Sequence, residues 1–241
     1  MNKQHPYLVF LSLTVCLALL SALCAHWNTV PITDALRAAT NTSTRIRRVV
    51  LDAGHGGEDG GACSADGILE KDLNLSIVFL LRDLLVANGI EVTLTRDTDT
   101  LLYDKTTDYH GRKKALDFAE RMRIAEENAD SVFVSIHMNT YPREDCRGLQ
   151  VWYSPNHPDS RTLANALQNS VKTRLQPQNH REIKASGSNI YLLYHLQIPA
   201  VLIECGFLST PDEAALLNRR DYQKALAFSL FLAIAETSFP I

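Results

Sequence analysis

Four side chains capable of metal or acid–base chemistry stand beside apolar runs or at the start of a helical pattern. His55 follows the run Ile46–Leu51 and is flanked by Gly54, Gly56 and Gly57. Glycines permit unusual backbone angles and let a ligand or metal come close. His137 ends the apolar run Val132–Ile136, where each ring nitrogen needs a partner. Glu204 lies between Val201–Ile203 and the stretch Cys205–Leu208. A carboxylate in such surroundings is costly to ionise unless it is paired or near a metal. Its other fate is a raised pKa, which suits a general acid or base. Glu70 opens a helical pattern, a place where the helix dipole alone already favours an acid. Taken singly, these residues read as a loop histidine, a satisfied core histidine, a salt-bridged glutamate and a helix-start acid. Taken together they are two imidazoles, one carboxylate and a separate glutamate, a donor set that builds catalytic zinc centres. Zinc in such a centre lowers the pKa of water toward ~7, and a nearby unligated glutamate takes the proton. His55, His137, Glu70 and Glu204 together therefore fit a Zn2+ centre in which the two imidazoles and one of the carboxylates bind and the other carboxylate is the base. The four come from separate segments, so the helix-borne His-Glu-x-x-His arrangement is excluded.

The elements that must carry them follow from periodicity. Short apolar runs predict strands at Ile46–Leu51, Ile90–Thr95, Ser131–His137, Gly148–Tyr153 and Ala200–Glu204. The third is almost wholly apolar, as expected of a central strand buried on both faces. Helical spacing predicts helices over Leu69–Asn88, with Gly89 as its cap, and over Gly111–Asn128, Ser160–Leu175 and Asp221–Glu236. Residues 98–110 and 176–188 read as loops. Strands alternating with helices imply an α/β fold, a single domain with a twisted, mostly parallel or mixed sheet of about six strands and helices on both faces. Sites in such folds gather at the carboxyl ends of strands, where Asp52 with His55, then His137, then Glu204 all fall.

The chain has 241 residues, 46% of them hydrophobic, enough for one buried core. Its net charge of −3 carries no nucleic-acid footprint. Lys3 precedes an apolar run from Tyr7 to Ala25, which describes an export signal or a membrane anchor. The run exceeds the roughly 7–15 apolar residues of most cleaved signals and reaches the ~18 that span a bilayer. Residues 1–25 are thus read as signal peptide or anchor, 26–44 as a polar linker and 45–241 as the catalytic domain. Of five cysteines, Cys16 and Cys24 lie in the leader. Cys63, Cys146 and Cys205 cannot build a disulfide framework, and Cys205 reads as a small hydrophobe. His110, His157, His180 and His195 are expected to hold no metal.

Four stretches resemble one family. They are Leu51-Asp-Ala-Gly-His-Gly-Gly-Glu-Asp-Gly-Gly-Ala, Leu69-Glu-Lys-Asp-Leu-Asn-Leu, Ser135-Ile-His-Met-Asn and Ile203-Glu-Cys-Gly-Phe-Leu-Ser. In this order they are similar to the zinc-dependent N-acetylmuramoyl-L-alanine amidases of the Amidase_3 type. The resemblance spans roughly residues 46–238. It differs at Ala53, where the family usually has Pro, and at Cys205, where it usually has an aliphatic residue. It implies that His55, Glu70 and His137 bind zinc and that Glu204 is the base. The implied reaction is hydrolysis of the amide between N-acetylmuramic acid and the L-alanine of the peptidoglycan stem peptide, outside the membrane. Asn139, Gly56 and Gly57 are candidate substrate contacts.

The resemblance carries two more expectations. Division-associated members block their zinc with a helical insertion after the third motif. Here only Thr140–Arg147 connects to the next strand, so the site is expected to be open unless a regulatory protein partner controls it. The chain's size, apolar leader and the stretch Thr106-Thr-Asp-Tyr-His-Gly-Arg-Lys-Lys resemble germination-specific, spore-cortex amidases, which strip stem peptides before muramic-lactam formation. The alternatives are a vegetative autolysin or remodelling amidase, a zinc peptidase cutting within the stem peptide, and a degenerate wall-binding protein, which would have to lack a ligand or the base.

Overall fold

The computed structural model describes residues 43–103, 106, 111–143 and 145–240. The leader and the linker up to residue 42 lie outside the described residues. Arg45–Phe239 form one compact unit. Its elements in chain order are β1 (Arg48–Ala53), α1 (Glu70–Ala87), β2 (Glu91–Leu94), α2 (Lys113–Glu127), β3 (Val132–Asn139), β4 (Gln150–Tyr153), α3 (Pro158–Arg174), β5 (Lys184–Ala185), α4 (Tyr191–His195), β6 (Ala200–Phe207), α5 (Pro211–Leu217) and α6 (Arg220–Glu236). No helix among the described residues is long and apolar enough to cross a membrane.

The six strands of the central sheet lie in the order β2-β1-β3-β6-β4-β5. The first four are parallel, β4 runs antiparallel to β6, and β5 is parallel to β4. The sheet is therefore mixed, within the expected class. Side chains alternate across each strand. Val134 and Ile136 of β3 and Val201 and Ile203 of β6 point into a core filled by Leu73, Ile77 and Leu81 of α1, Leu163 and Leu167 of α3, and Leu226 and Leu230 of α6. On the other face Val50, Phe133, Ala200 and Leu202 pack with Ala125 of α2 and with Leu192 and Leu193 of α4. Burial on both faces explains why β3 and β6 are nearly continuous apolar runs.

The differences from the sequence reading have local causes. Strand β5 lies inside the expected loop 176–188, and two exposed residues carry no periodicity. Helices α4 and α5 were not anticipated. One spans Tyr191–His195, and the other opens on Pro211, whose fixed φ suits a first turn. Strand β6 runs on past Glu204 to Phe207. Beyond a register shift between His137 and Asn139, its pairing resumes at Asn139 with Phe207. Between β3 and β4 no helix is found among the described residues.

Leu81 is wholly buried between α1 and the sheet. Leu81→Ala is expected to destabilise the chain by about 2–5 kcal/mol, read as a lowered midpoint in urea unfolding with an unchanged slope.

Candidate metal centre and base

Each candidate side chain is delivered by a different element. His55 lies just beyond the end of β1, Glu70 is the first residue of α1, and His137 and Glu204 sit opposite one another in register on the adjacent parallel strands β3 and β6. Register partners on neighbouring strands project from the same face, so the last two stand side by side. Their ligand atoms converge: one atom each from His55, Glu70 and His137 lies within 4.8 Å of the others, a cluster able to hold a metal ion. Glu70 Oε1 is 2.9 Å from His137 Nδ1 and 3.2 Å from His55 Nε2. The two imidazole centres are 5.0 Å apart, edge to face.

Glu70 is almost fully buried, which by itself pushes its carboxyl up. Hydrogen bonds with His137 and His55 outweigh that and hold it far below the usual carboxylate range. The backbone helps: Met138 N donates to Oε1 at 3.0 Å and Ala62 N to Oε2 at 2.7 Å. Burial also disfavours a charged His55, yet its contacts to Glu70 and then Asp59 leave its pKa raised. His55 Nδ1 approaches Asp59 Oδ2 to 3.0 Å without hydrogen-bond alignment. Glu204 behaves oppositely. Its Oε2 is buried without a hydrogen-bond partner. Burial pushes its carboxyl up, the pull of His137 opposes this, the charge of Glu70 adds to it, and the result is about 7. One carboxylate in this centre is thus held ionised and its neighbour is poised near neutrality, the division of roles that acid–base chemistry requires.

A family comparison agrees with this geometry. Residues 49–236 match the family model described as N-acetylmuramoyl-L-alanine amidase. The chain belongs to the N-acetylmuramoyl-L-alanine amidase family. It is 35% identical over 186 residues to the germination-specific N-acetylmuramoyl-L-alanine amidase of Bacillus subtilis, covering 77% of each chain. Among solved structures it resembles the CwlD amidase of Clostridioides difficile, whose structure is in complex with the GerS lipoprotein. That match has a TM-score of 0.74 and 37% identity, and covers 78% of this chain and 96% of that one. The catalytic domain of CwlV, an amidase from Bacillus (Paenibacillus) polymyxa, aligns with a TM-score of 0.66 and 30% identity over 79% and 97% of the two chains.

In this amidase the loop bearing His55 is held by groups the sequence reading did not single out. His55 has a φ of 62°, a conformation that costs a non-glycine residue energy. Three successive carbonyls around it are tied to buried donors. Ala53 O accepts from Arg96 Nε at 2.8 Å and Arg121 Nη1 at 2.9 Å. Gly54 O accepts from Asn74 Nδ2 and Arg96 Nη2, each at 3.1 Å, and His55 O accepts from Arg121 Nη2 at 2.9 Å. Arg121 is itself buried between Asp52 and Asp117. Burial raises the Asp52 carboxyl, but the Arg121 charge and the Ser135 and Thr95 hydroxyls outweigh it and keep it below the usual range. One signal for this brace was present: Asp117, Arg121 and Ala125 recur every four residues on the buried face of α2.

Gly54 has a steric reason to be glycine, because a Cβ there would come within 2.2 Å of the His137 ring. The proposed substrate contacts are placed differently from one another. Gly56 N donates to Asp59 O at 2.9 Å, and Gly57 N donates to Asp99 Oδ1 at 2.7 Å, so both amides brace the loop. Asn139 lies two residues beyond His137 on β3, across the register shift. His157 caps α3 by accepting from Asp159 N. Cys63, Cys146 and Cys205 are unbridged, and Cys205 is fully buried. His110 lies outside the described residues.

Two outcomes follow. Gly54→Ala is expected to lower divalent-metal affinity by about 10–100-fold, measured by isothermal titration, with the circular dichroism spectrum retained. The second concerns Glu204, whose pKa in the folded, metal-free chain lies above its ordinary value of 4.5. The penalty for burying it is absent below pH 4.5, grows as pH rises and is complete above about 7. Metal-free Glu204→Gln should therefore gain stability relative to wild type between pH 4 and pH 8, by on the order of 3 kcal/mol. Equal pH dependence of the two melting curves would contradict this origin of the shift.

Proposed function

We propose that the chain hydrolyses the amide between the lactyl group of N-acetylmuramic acid and the L-alanine of peptidoglycan stem peptides, with zinc held by His55, Glu70 and His137 and with Glu204 as the base. The observation that carries the reading is the in-register pairing of His137 with Glu204, beside a carboxylate that both histidines share. The donor set suits the ion: two imidazoles and one carboxylate, converging with no fourth protein donor among the described residues, are ligands of catalytic zinc. Bound there, zinc would supply Lewis acidity, polarising the scissile carbonyl and lowering the pKa of water.

The remaining roles belong to the chain. Glu70, fixed by Ala62 N and Met138 N, keeps its charge and its orientation as a ligand. Asp59 beside His55 Nδ1 and the carbonyl clasp of Arg96 and Arg121 set the direction of the His55 ring. Glu204, with an unpartnered carboxylate oxygen, takes the proton of the attacking water and passes it to the leaving nitrogen. A pKa near neutrality in the metal-free chain suits both halves of that transfer, because a nearby cation favours the ionised form and proton uptake remains easy. Asn139, beyond His137 on the same strand, is the proposed substrate contact.

The biological setting belongs to the same proposal. The relative named as germination-specific supports a role in stripping stem peptides from spore cortex. A vegetative wall amidase is the second reading, because LytC of Bacillus subtilis is also similar, at 26% identity over 181 residues. The polar linker and apolar leader support action outside the membrane. The structural relative bound to a lipoprotein supports control by a protein partner.

Peptidoglycan digested with the zinc-loaded chain should yield intact stem peptides beginning with L-alanine and peptide-free muramoyl groups, as read by mass spectrometry. A chelator should abolish release. Glu204→Gln should cut turnover by at least about 100-fold while metal content stays at one per chain. Fragments cut within the stem peptide would assign the site to a peptidase, and turnover surviving in the variant would remove Glu204 from the role of base.

A further inference from the structure

On the face that carries Glu204, its cross-strand neighbour on β4 is Gln150. The amide of Gln150 is fixed by the segment that follows α3. Gln150 Nε2 donates to the Glu182 carbonyl at 2.8 Å, and Arg181 Nη1 donates to Gln150 Oε1 at 3.2 Å. Two residues along β4, Trp152 is in register with Leu202 on one side and with Lys184 on the other. Lys184 Nζ stands 5.3 Å from the centre of the Trp152 ring. Arg181 Nε donates to the Arg147 carbonyl at 2.7 Å, and its guanidinium carbon lies 4.5 Å from the centre of the Phe207 ring.

Lys184 thus rests on the Trp152 ring, and Arg181 on neutral acceptors and the Phe207 ring, with the Glu213 carboxylate near enough to act on it electrostatically. Among the described residues neither takes part in an ion pair, whereas nearby cations do: Arg143 with Asp145, Arg147 with Asp212 and Lys172 with Glu182. Arg181 is half-buried and held from several sides, so little side-chain entropy remains to be lost when it binds an anion. Lys184 is exposed on the edge strand, which leaves its approach open.

We propose that Arg181, beside Gln150, and Lys184, beside the face of Trp152, form a subsite for free carboxylates of the stem peptide on the leaving-group side of the scissile amide. The inference rests on the amidase reading above and names what that site selects. The dimensions agree. Strands in a sheet lie about 4.8 Å apart and rise about 3.4 Å per residue, so Lys184, two strands and two residues away, is roughly 12 Å from the base on β6. An extended peptide advances about 3.5 Å per residue, which brings the second and third residues of a stem peptide to these cations. An acidic stem peptide supplies free carboxylates there, and a planar guanidinium is suited to bind them with paired hydrogen bonds.

The test uses the full chain and two synthetic muramoyl-peptides that differ only in whether the carboxylates of the second and third residues are free or amidated. Wild type should favour the free-carboxylate peptide by about tenfold in kcat/KM, through KM, as expected for one charge-assisted contact. Calorimetric binding of the two released peptides should show the same preference without turnover. In Arg181→Gln/Lys184→Gln the ratio should fall to near one in both measurements. Lys184→Gln alone, at an exposed position, carries the test where Arg181→Gln does not fold, with a drop in the ratio of about threefold. A wild type indifferent to amidation, or a double variant that keeps the full ratio, overturns the subsite. Selective binding of the released peptides with cleavage of neither substrate supports the subsite and sinks the amidase reading instead.

Discussion

An ionised carboxylate as deeply buried as Glu70 costs several kcal/mol unless its lone pairs are met by donors. Here five groups meet them: two imidazole nitrogens, the Asn74 side chain and the backbone amides of Ala62 and Met138. The amides come from a loop and from the far end of β3, so the charge of Glu70 is stable only when α1, the Gly-rich loop and the central strand are all in place.

The same burial has the opposite effect on Glu204. It shares the environment of His137 yet accepts no hydrogen bond at Oε2, so desolvation dominates and its proton is held more tightly. Two carboxylates beside one pair of histidines are separated first by their hydrogen-bond count. That difference holds Glu70 ionised and leaves Glu204 with a pKa near neutrality. Their mutual repulsion also matters, since the charge on Glu70 raises the pKa of Glu204.

Around this centre the protein holds a left-handed histidine against its own preference. Two arginines and an asparagine bind three consecutive carbonyls, and Arg121 stays charged in the interior because Asp52 and Asp117 flank it. A buried pair of this kind is weak evidence for added stability, because desolvation offsets the attraction. Its value here is directional, since multiple donors on a rigid fork leave the loop one geometry.

Much was legible from residue order. The alternation of apolar runs and helical spacing determined an α/β sheet covered on both faces, and the positions of His55, His137 and Glu204 beside those runs marked the carboxyl ends of strands. Glu70 was the weakest of the four in isolation, because helix starts attract acids for dipole reasons. What only the tertiary structure decided was mutual placement. That His137 and Glu204 stand in register depends on the order of β3 and β6 in the sheet, a pairing across more than sixty positions that no local period encodes. The partners of the Arg96 and Arg121 brace, the short strand β5 and the places of Arg181 beside Gln150 and Lys184 beside Trp152 were also hidden. Each rests on contacts between segments remote in the chain, while sequence periodicity reports only which side of its own element a residue faces.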